Sequence, residues 1–407
     1  MLIPTGYRRR VSLLERYSLA LQEAHHYQLN AVVEGNGYLD ADRLQAAVTA
    51  ASAANPGTRV RLIGWLGFSY WVDSGVAPRV RDLGDVPWEG RSAEAFAPLL
   101  LERLDPLRGG AVADVLLLRA AGGQRSCLVF RAHHGAFDGR GLMYWMRDVF
   151  RALRGEALLG SDSTLRPEDV QRQYRDQVAA FATATRPQGS IVPVLPPATP
   201  QGGAAVDLHH TWRCLVIPRK VPQVMLQSAL FFAAWARRQD SGRVVFTVPV
   251  DYRGLRTQAR STGNLIGYLQ LEVDADATQR SLTRQLTGAL RAHADCRELT
   301  ALRKIVWRPV QGLAPAVRRR LEAGLYSPAS PTGGLVSLGP ACWEEITCPG
   351  FQPDFTYSIP PFVGRLNAIF VELPDRTVAT ISVPLACARN GELDALAAAY
   401  LAHFSQG

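Results

Sequence analysis

Apolar positions along this chain follow two periods. Between residues 39 and 55 ("LDADRLQAAVTAASAAN"), Leu44, Ala47 and Val48 recur at helical spacing, which predicts an amphipathic helix capped by Asp40 or Asp42. Residues 58–72 ("TRVRLIGWLGFSYWV") are rich in β-branched and aromatic side chains and predict a hairpin. "AVADVLLLRA" and "RSCLVFRA" read as two further strands parted by the turn signal "AGGQ". Beyond them Leu142, Met143, Trp145, Met146, Val149, Phe150 and Leu153 return to helical spacing, in a helix that ends at Gly155. Later come a strand "TWRCLVIP", an apolar helix "PQVMLQSALFFAAWARRQ" and a buried strand "RVVFTVPVDY". A helix around 277–297, a hairpin "LNAIFVELPDRTVATISVPL" across "PDR", and a closing helix "GELDALAAAYLAHF" complete the chain. Strands and helices mix throughout, so the pattern predicts an α/β (α+β mixed) fold.

One stretch breaks this pattern. Residues 186–205, "RPQGSIVPVLPPATPQGGAA", hold too many prolines to join a sheet or continue a helix. They predict an extended linker between an N-terminal half, 1–185, and a C-terminal half, 206–407.

At 407 residues and 47% hydrophobic content, the chain has the length and composition of a globular protein with large cores. It holds no uninterrupted apolar stretch of the ~18 residues that a membrane span needs. The N-terminus lacks the continuous apolar region of a signal peptide, and the expected location is cytoplasmic. Cys127, Cys214, Cys296, Cys342, Cys348 and Cys387 form no CxxC pair, which removes zinc knuckles and dithiol redox chemistry. The net charge is +9, carried almost wholly by arginine, since lysine occurs only at Lys220 and Lys304. Such a surface attracts acidic partners. The arginines are dispersed, however, and the runs at 8–10 and 318–320 accompany no nucleic-acid-binding signature, so no nucleic acid is expected.

The chemistry-bearing stretch is "FRAHHGAFDGRGL", residues 130–142, a strand-to-helix turn with His133, His134, Asp138 and Gly139. Three readings compete. In the plainest, Asp138 caps the helix, Gly139 permits the turn, and the histidines are polar loop residues. In the second, two histidines and a carboxylate hold a metal. Adjacent histidines on an extended backbone point to opposite sides, so they grip one ion poorly, and no metal is expected. In the third, one imidazole faces a cavity as a general base, while its neighbour is buried.

"HHGAFDG" matches the HHxxxDG signature of the condensation-domain superfamily. That superfamily includes nonribosomal-peptide condensation domains, polyketide-associated acyltransferases, wax ester synthase/diacylglycerol acyltransferases and chloramphenicol acetyltransferase. Four fixed residues in seven are weakly specific, but other blocks follow in the family's order over most of the chain. "LDADRLQAAVTAASAANPGTRVRL" resembles its opening helix and strand, and "ERLDPLRGGAVADVLLLRA" the segment before the signature. "VPVDYRGL", "GNLIGYLQLEV" and "GGLVSLGP" are similar to three later blocks, with Leu338 where the family commonly has asparagine.

The resemblance implies two chloramphenicol-acetyltransferase-like halves in a V, with a tunnel between them and the signature loop at its middle. It implies an acyltransferase or condensation enzyme of secondary metabolism, the kind that makes nonribosomal peptides or polyketides. An acyl thioester would pass to a hydroxyl or amine acceptor. His134 would be the catalytic base and His133 a buried structural residue. Asp138 would pair with an arginine, assigned to Arg253. The Gly139 amide and Ser337 hydroxyl are possible oxyanion or acceptor contacts, a role that loss of the family asparagine at Leu338 leaves open. No separate cofactor is implied: 4'-phosphopantetheine on an acyl or peptidyl carrier protein, or coenzyme A, belongs to the donor. With no carrier sequence visible, the carrier would act in trans, and the enzyme is expected to be a monomer. Two alternatives fit the same residues, a non-catalytic module that recruits a carrier protein and a wax ester/diacylglycerol synthase-like enzyme.

Overall fold

A computed structural model describes residues 6–24, 27–65, 68–86, 100, 102–181, 189–198, 208–297, 309–360 and 364–405. The first elements are β1 (Arg8–Arg10), α1 (Leu13–Ala24), β2 (Gln28–Gly37), α2 (Ala41–Ala54), β3 (Val60–Ile63), β4 (Tyr70–Asp73), β5 (Val80–Asp85), β6 (Ala113–Arg119), β7 (Arg125–His133) and α3 (Gly139–Leu153). Two short helices, α4 (Pro167–Gln173) and α5 (Arg175–Phe181), precede the proline-rich run. Then come β8 (His210–Ile217), α6 (Val224–Ala236), β9 (Val245–Asp251), β10 (Ile266–Glu272), α7 (Gln279–Arg291) and α8 (Val310–Tyr326). The chain ends with β11 (Gly333–Pro340), α9 (Trp343–Ile346), β12 (Phe351–Ile359), β13 (Asn367–Glu372), β14 (Thr377–Pro384) and α10 (Glu392–Ser405). Among the described residues, no helix is long and apolar enough to cross a membrane.

Two large sheets organise these elements. The first runs β12-β2-β7-β6-β5 and the second β10-β9-β11-β13-β14-β8. β7 shows why its sequence is a near-continuous apolar run. Leu128, Phe130 and Ala132 face a core shared with α2 and α3, while Cys127 and Val129 face the second sheet. A strand covered on both faces has no polar side to show. The second sheet buries its other face under α6 and α10, with Phe232, Phe246, Phe370 and Tyr400 in one cluster. A third cluster joins the sheets: Val32, Leu116 and Val129 of the first meet Trp212, Val371 and Val378 of the second. A smaller sheet, β1-β4-β3, completes the hairpin read at 58–72.

Two segments of the second half reach across to the first. β12 leaves the second half and pairs antiparallel with β2 along its length, from Phe351 opposite Gly37 to Ile359 opposite Asn30. α8 likewise crosses over to pack on α1. In the proline-rich run, the described residues 189–198 pack along the second half. Ile191 bridges to Arg243, and Val192, Val194 and Leu195 are buried in the second core. The physical cause is the apolar set "IVPVL" between the prolines, which gains more from burial than an extended linker would from solvation.

Candidate active site

β7 and α3 set the site. The His133 amide donates to the Val112 carbonyl at 2.8 Å and the His134 amide to the Tyr27 carbonyl at 3.1 Å, so both residues are held at the end of the sheet. The Ala136 and Phe137 amides then fold back on the His133 carbonyl, and the chain enters α3 with Asp138 as its cap.

The two histidines differ in environment. His133 is buried, and its Nδ1 accepts the Gly135 amide at 2.9 Å, which places its proton on Nε2. That Nε2–H has no partner among the described residues. Burial, helped by the neighbouring His134, depresses its pKa to about 3. His134 lines a cavity of about 490 Å³. Its Nδ1 lies 2.8 Å from the Phe137 carbonyl oxygen. A carbonyl only accepts, so Nδ1 carries the hydrogen and Nε2 keeps its lone pair. The Tyr27 ring stacks on the imidazole at 4.8 Å and 12°. Burial lowers the His134 pKa, while the Phe137 carbonyl and the Asp138 charge oppose it. The net lowering favours the neutral imidazole, whose basic nitrogen is Nε2.

Asp138 is buried and fully committed. Oδ1 accepts the Gly141 amide at 2.7 Å, and Oδ2 accepts the Leu265 amide at 2.8 Å and Arg253 Nη1 at 2.9 Å. Arg253 also donates to Asp251 at 2.7 Å and to the Ser261 and Gly263 carbonyls. The structure thus brings Arg253, from the end of β9, to the signature loop.

Gly139 needs correction as the residue that permits the turn. It is absent from the positive-φ positions, and a Cβ there would meet only Leu338 Cδ2, at 3.6 Å. The glycine that packing demands is Gly141, where a Cβ would lie 2.1 Å from the Thr262 carbonyl oxygen. Ser337 and Leu338, on β11, both line the cavity. Ser337 is exposed and Leu338 half-buried, with its side chain closest to Gly139.

Several site residues were not assigned a role from the sequence. Tyr27 lies beside the pair His25/His26, which falls outside the described residues. Asn264 stands within the quoted block "GNLIGYLQLEV", and its amide donates to the His134 carbonyl at 2.7 Å. Arg9, in the basic run 8–10, is buried, ion-paired with Glu15, and directed at the Ala136 carbonyl. The tunnel wall also holds Tyr17 and Tyr268, and burial keeps the Tyr268 phenol protonated. Among the described residues, no three His, Cys, Asp or Glu side chains converge as metal ligands.

No family model and no curated protein matches the chain. Solved structures do. The chain is similar to the first condensation domain of the calcium-dependent antibiotic synthetase, in complex with a substrate analogue, at 17% identity and TM-score 0.71, covering 99% of this chain and 97% of that chain. It is similar to the starter condensation domain of rhizomide synthetase at 15% identity and TM-score 0.62, with 99% and 96% covered. The X-domain from teicoplanin biosynthesis follows at 16% identity and TM-score 0.61, with 100% and 96% covered. The chain therefore shares the fold of these condensation domains over its whole length, with two chloramphenicol-acetyltransferase-like halves.

Proposed function

We propose that this protein is an acyltransferase or condensation enzyme that joins an acyl thioester to a hydroxyl or amine acceptor, with His134 as its general base. One observation carries the reading: His134 lines the cavity, and the Nδ1–H bond to the Phe137 carbonyl leaves the lone pair of its imidazole on Nε2. Nε2 takes the acceptor proton as the acceptor oxygen or nitrogen attacks the thioester carbonyl carbon. The tetrahedral oxyanion collapses, the C–S bond breaks, and the departing thiolate receives the proton back. The products are an ester or amide and a free thiol. The Gly139 amide and the Ser337 hydroxyl are our candidates for the oxyanion or the acceptor. His133, Asp138 and Arg253 shape the loop without touching substrate.

The donor arm is 4'-phosphopantetheine on an acyl or peptidyl carrier protein acting in trans, or coenzyme A. The net charge of +9 suits an acidic carrier. On this reading 1–185 and 206–407 are the functional halves, joined through 186–205, and the reaction belongs to secondary metabolism.

The test is turnover of carrier-bound and coenzyme A thioesters with amine and alcohol acceptors, followed by intact mass. His134→Ala should lose about 10²- to 10⁴-fold while keeping its fold. The acidic limb of kcat/KM should lie below pH 6.5, because burial lowers the pKa of the base. A variant as fast as wild type, or binding of a carrier without any turnover by wild type, refutes the assignment.

A further inference from the structure

The cavity that holds His134 also holds polar groups with nothing to bond. Asn30 is 2% exposed, and neither its Nδ2 nor its Oδ1 has a hydrogen-bond partner among the described residues. On β2 the neighbouring Leu29 and Ala31 turn into the core shared with α2 and α3. Asn30 therefore turns the other way, with Val32, onto the face directed at the second sheet. Its opposite numbers there are Ile359 of β12 and Arg131 of β7. Ile359 has no polar side-chain atom, and the Arg131 guanidinium is engaged by Asp114 and the Glu102 carbonyl. Asn30 and Ile359 both line the cavity. So do Tyr17 of α1 and Tyr268 of β10, both half-buried, and neither phenol has a hydrogen-bond partner among the described residues. Burial raises the pKa of both phenols, so each keeps its O–H as a donor. A cavity made for a plain hydrocarbon chain gains nothing from a buried carboxamide, because a methylene laid against it leaves donor and acceptor unmatched. Buried polar groups are nearly always paired, and an exception calls for a partner.

From this juxtaposition we propose that Asn30, Tyr17 and Tyr268 form a hydrogen-bonding subsite, which selects substrates that carry a hydroxyl or amide group into the cavity and rejects plain alkyl chains. The carboxamide donates through Nδ2 and accepts through Oδ1, and a hydroxyl or an amide does both in return. Discrimination of this kind is steep, since a ligand that lacks the group leaves the buried polar atoms unpaired. The inference rests on the acyl-transfer reading, which puts substrate in this cavity.

The group can belong to the donor chain or to the acceptor, so the experiment titrates the full chain calorimetrically with two sets of probes. One is S-octyl-N-acetylcysteamine, a thioether that cannot react, with analogues in which a hydroxyl or an amide stands at successive places along the octyl chain. The other is hexylamine with analogues made in the same way. Wild type should bind at least one polar analogue about tenfold or more tighter than the plain chain, and the set that shows it names the source. Asn30→Leu should erase that preference by improving the plain chain, while Tyr17→Phe and Tyr268→Phe should each reduce it. Should Asn30→Leu fail to fold, Tyr17→Phe with Tyr268→Phe decides, because it removes only two oxygens. Equal binding of plain and polar chains by wild type in both sets, or no binding, overturns the inference. So does a preference unchanged in the folded variants. The same chains offered as thioesters test the parent reading separately: preference without turnover refutes acyl transfer and leaves the subsite, and turnover without preference does the reverse.

Discussion

Replacing Asp138 with alanine removes three contacts at one point: the cap on the Gly141 amide, the bond from the Leu265 amide, and the ion pair with Arg253. Both side chains of the pair are 2% exposed, so water does not replace what is lost. Removing one member of a buried pair costs about 3–5 kcal/mol. Here the ionic part falls at the lower end, because Arg253 keeps Asp251 at 2.7 Å and the carbonyls of Ser261 and Gly263. The stranded amides of Gly141 and Leu265 add about 1–3 kcal/mol each where they remain buried. A loss of at least about 5 kcal/mol follows, a large share of the roughly 5–15 kcal/mol that holds a folded protein. Asp138→Asn, which keeps one oxygen acceptor, should cost about half as much. Urea unfolding of Asp138→Ala, Arg253→Met and the double variant closes a cycle whose coupling should exceed about 1 kcal/mol. If Asp138→Ala unfolds within about 1 kcal/mol of wild type and is inactive, the carboxylate acts in the chemistry and the structural account fails.

Two other perturbations separate packing from chemistry. Gly141→Ala drives a methyl group into the Thr262 carbonyl, and should lower stability by about 1–3 kcal/mol in thermal unfolding. Gly139→Ala meets only Leu338 at 3.6 Å, so it should melt within about 0.5 kcal/mol of wild type while its methyl group obstructs turnover. His133 gives a pH signature. Its folded pKa of about 3 lies below the unfolded value of 6.5, so the unfolded chain binds the extra proton as pH falls. From pH 6.5 down to 5, stability should drop by about 1.1 kcal/mol per pH unit more in wild type than in His133→Asn, and parallel curves would exclude a neutral buried imidazole.

What the sequence disclosed depended on how local the cause was. The helix Gly139–Leu153 was legible because Leu142, Trp145, Met146, Val149 and Phe150 must all reach one core, and a 3.6-residue period records that demand. The alternation of Leu128 and Phe130 with Cys127 and Val129 was not legible, because both faces of β7 are covered and both sets are apolar. Nor does anything local in "FQPDFTYSI" say that its partner is β2, more than 300 residues away in the chain. The two glycines show the same limit. Both stand at the start of α3, and only the approach of Thr262, from a distant loop, makes Gly141 the demanding one. Arg9 was read as one arginine of a basic run, whereas its neighbours on β1 face away and it alone turns inward to Glu15.

The loop 134–138 is gripped from both halves, and this limits how the tunnel moves. From its own half come the Tyr27 ring and the Phe137 carbonyl, which fix the imidazole. From the other half come the Asn264 amide on the His134 carbonyl, and Leu265 and Arg253 on Asp138. Each is a bond between buried groups, and each costs about 1–3 kcal/mol to leave unmade. Separating the halves at this line therefore breaks three bonds together, and also tilts the carbonyl next to the base. These three cross-half bonds, together with the Tyr27 ring and the Phe137 carbonyl, hold the His134 imidazole from both halves at once.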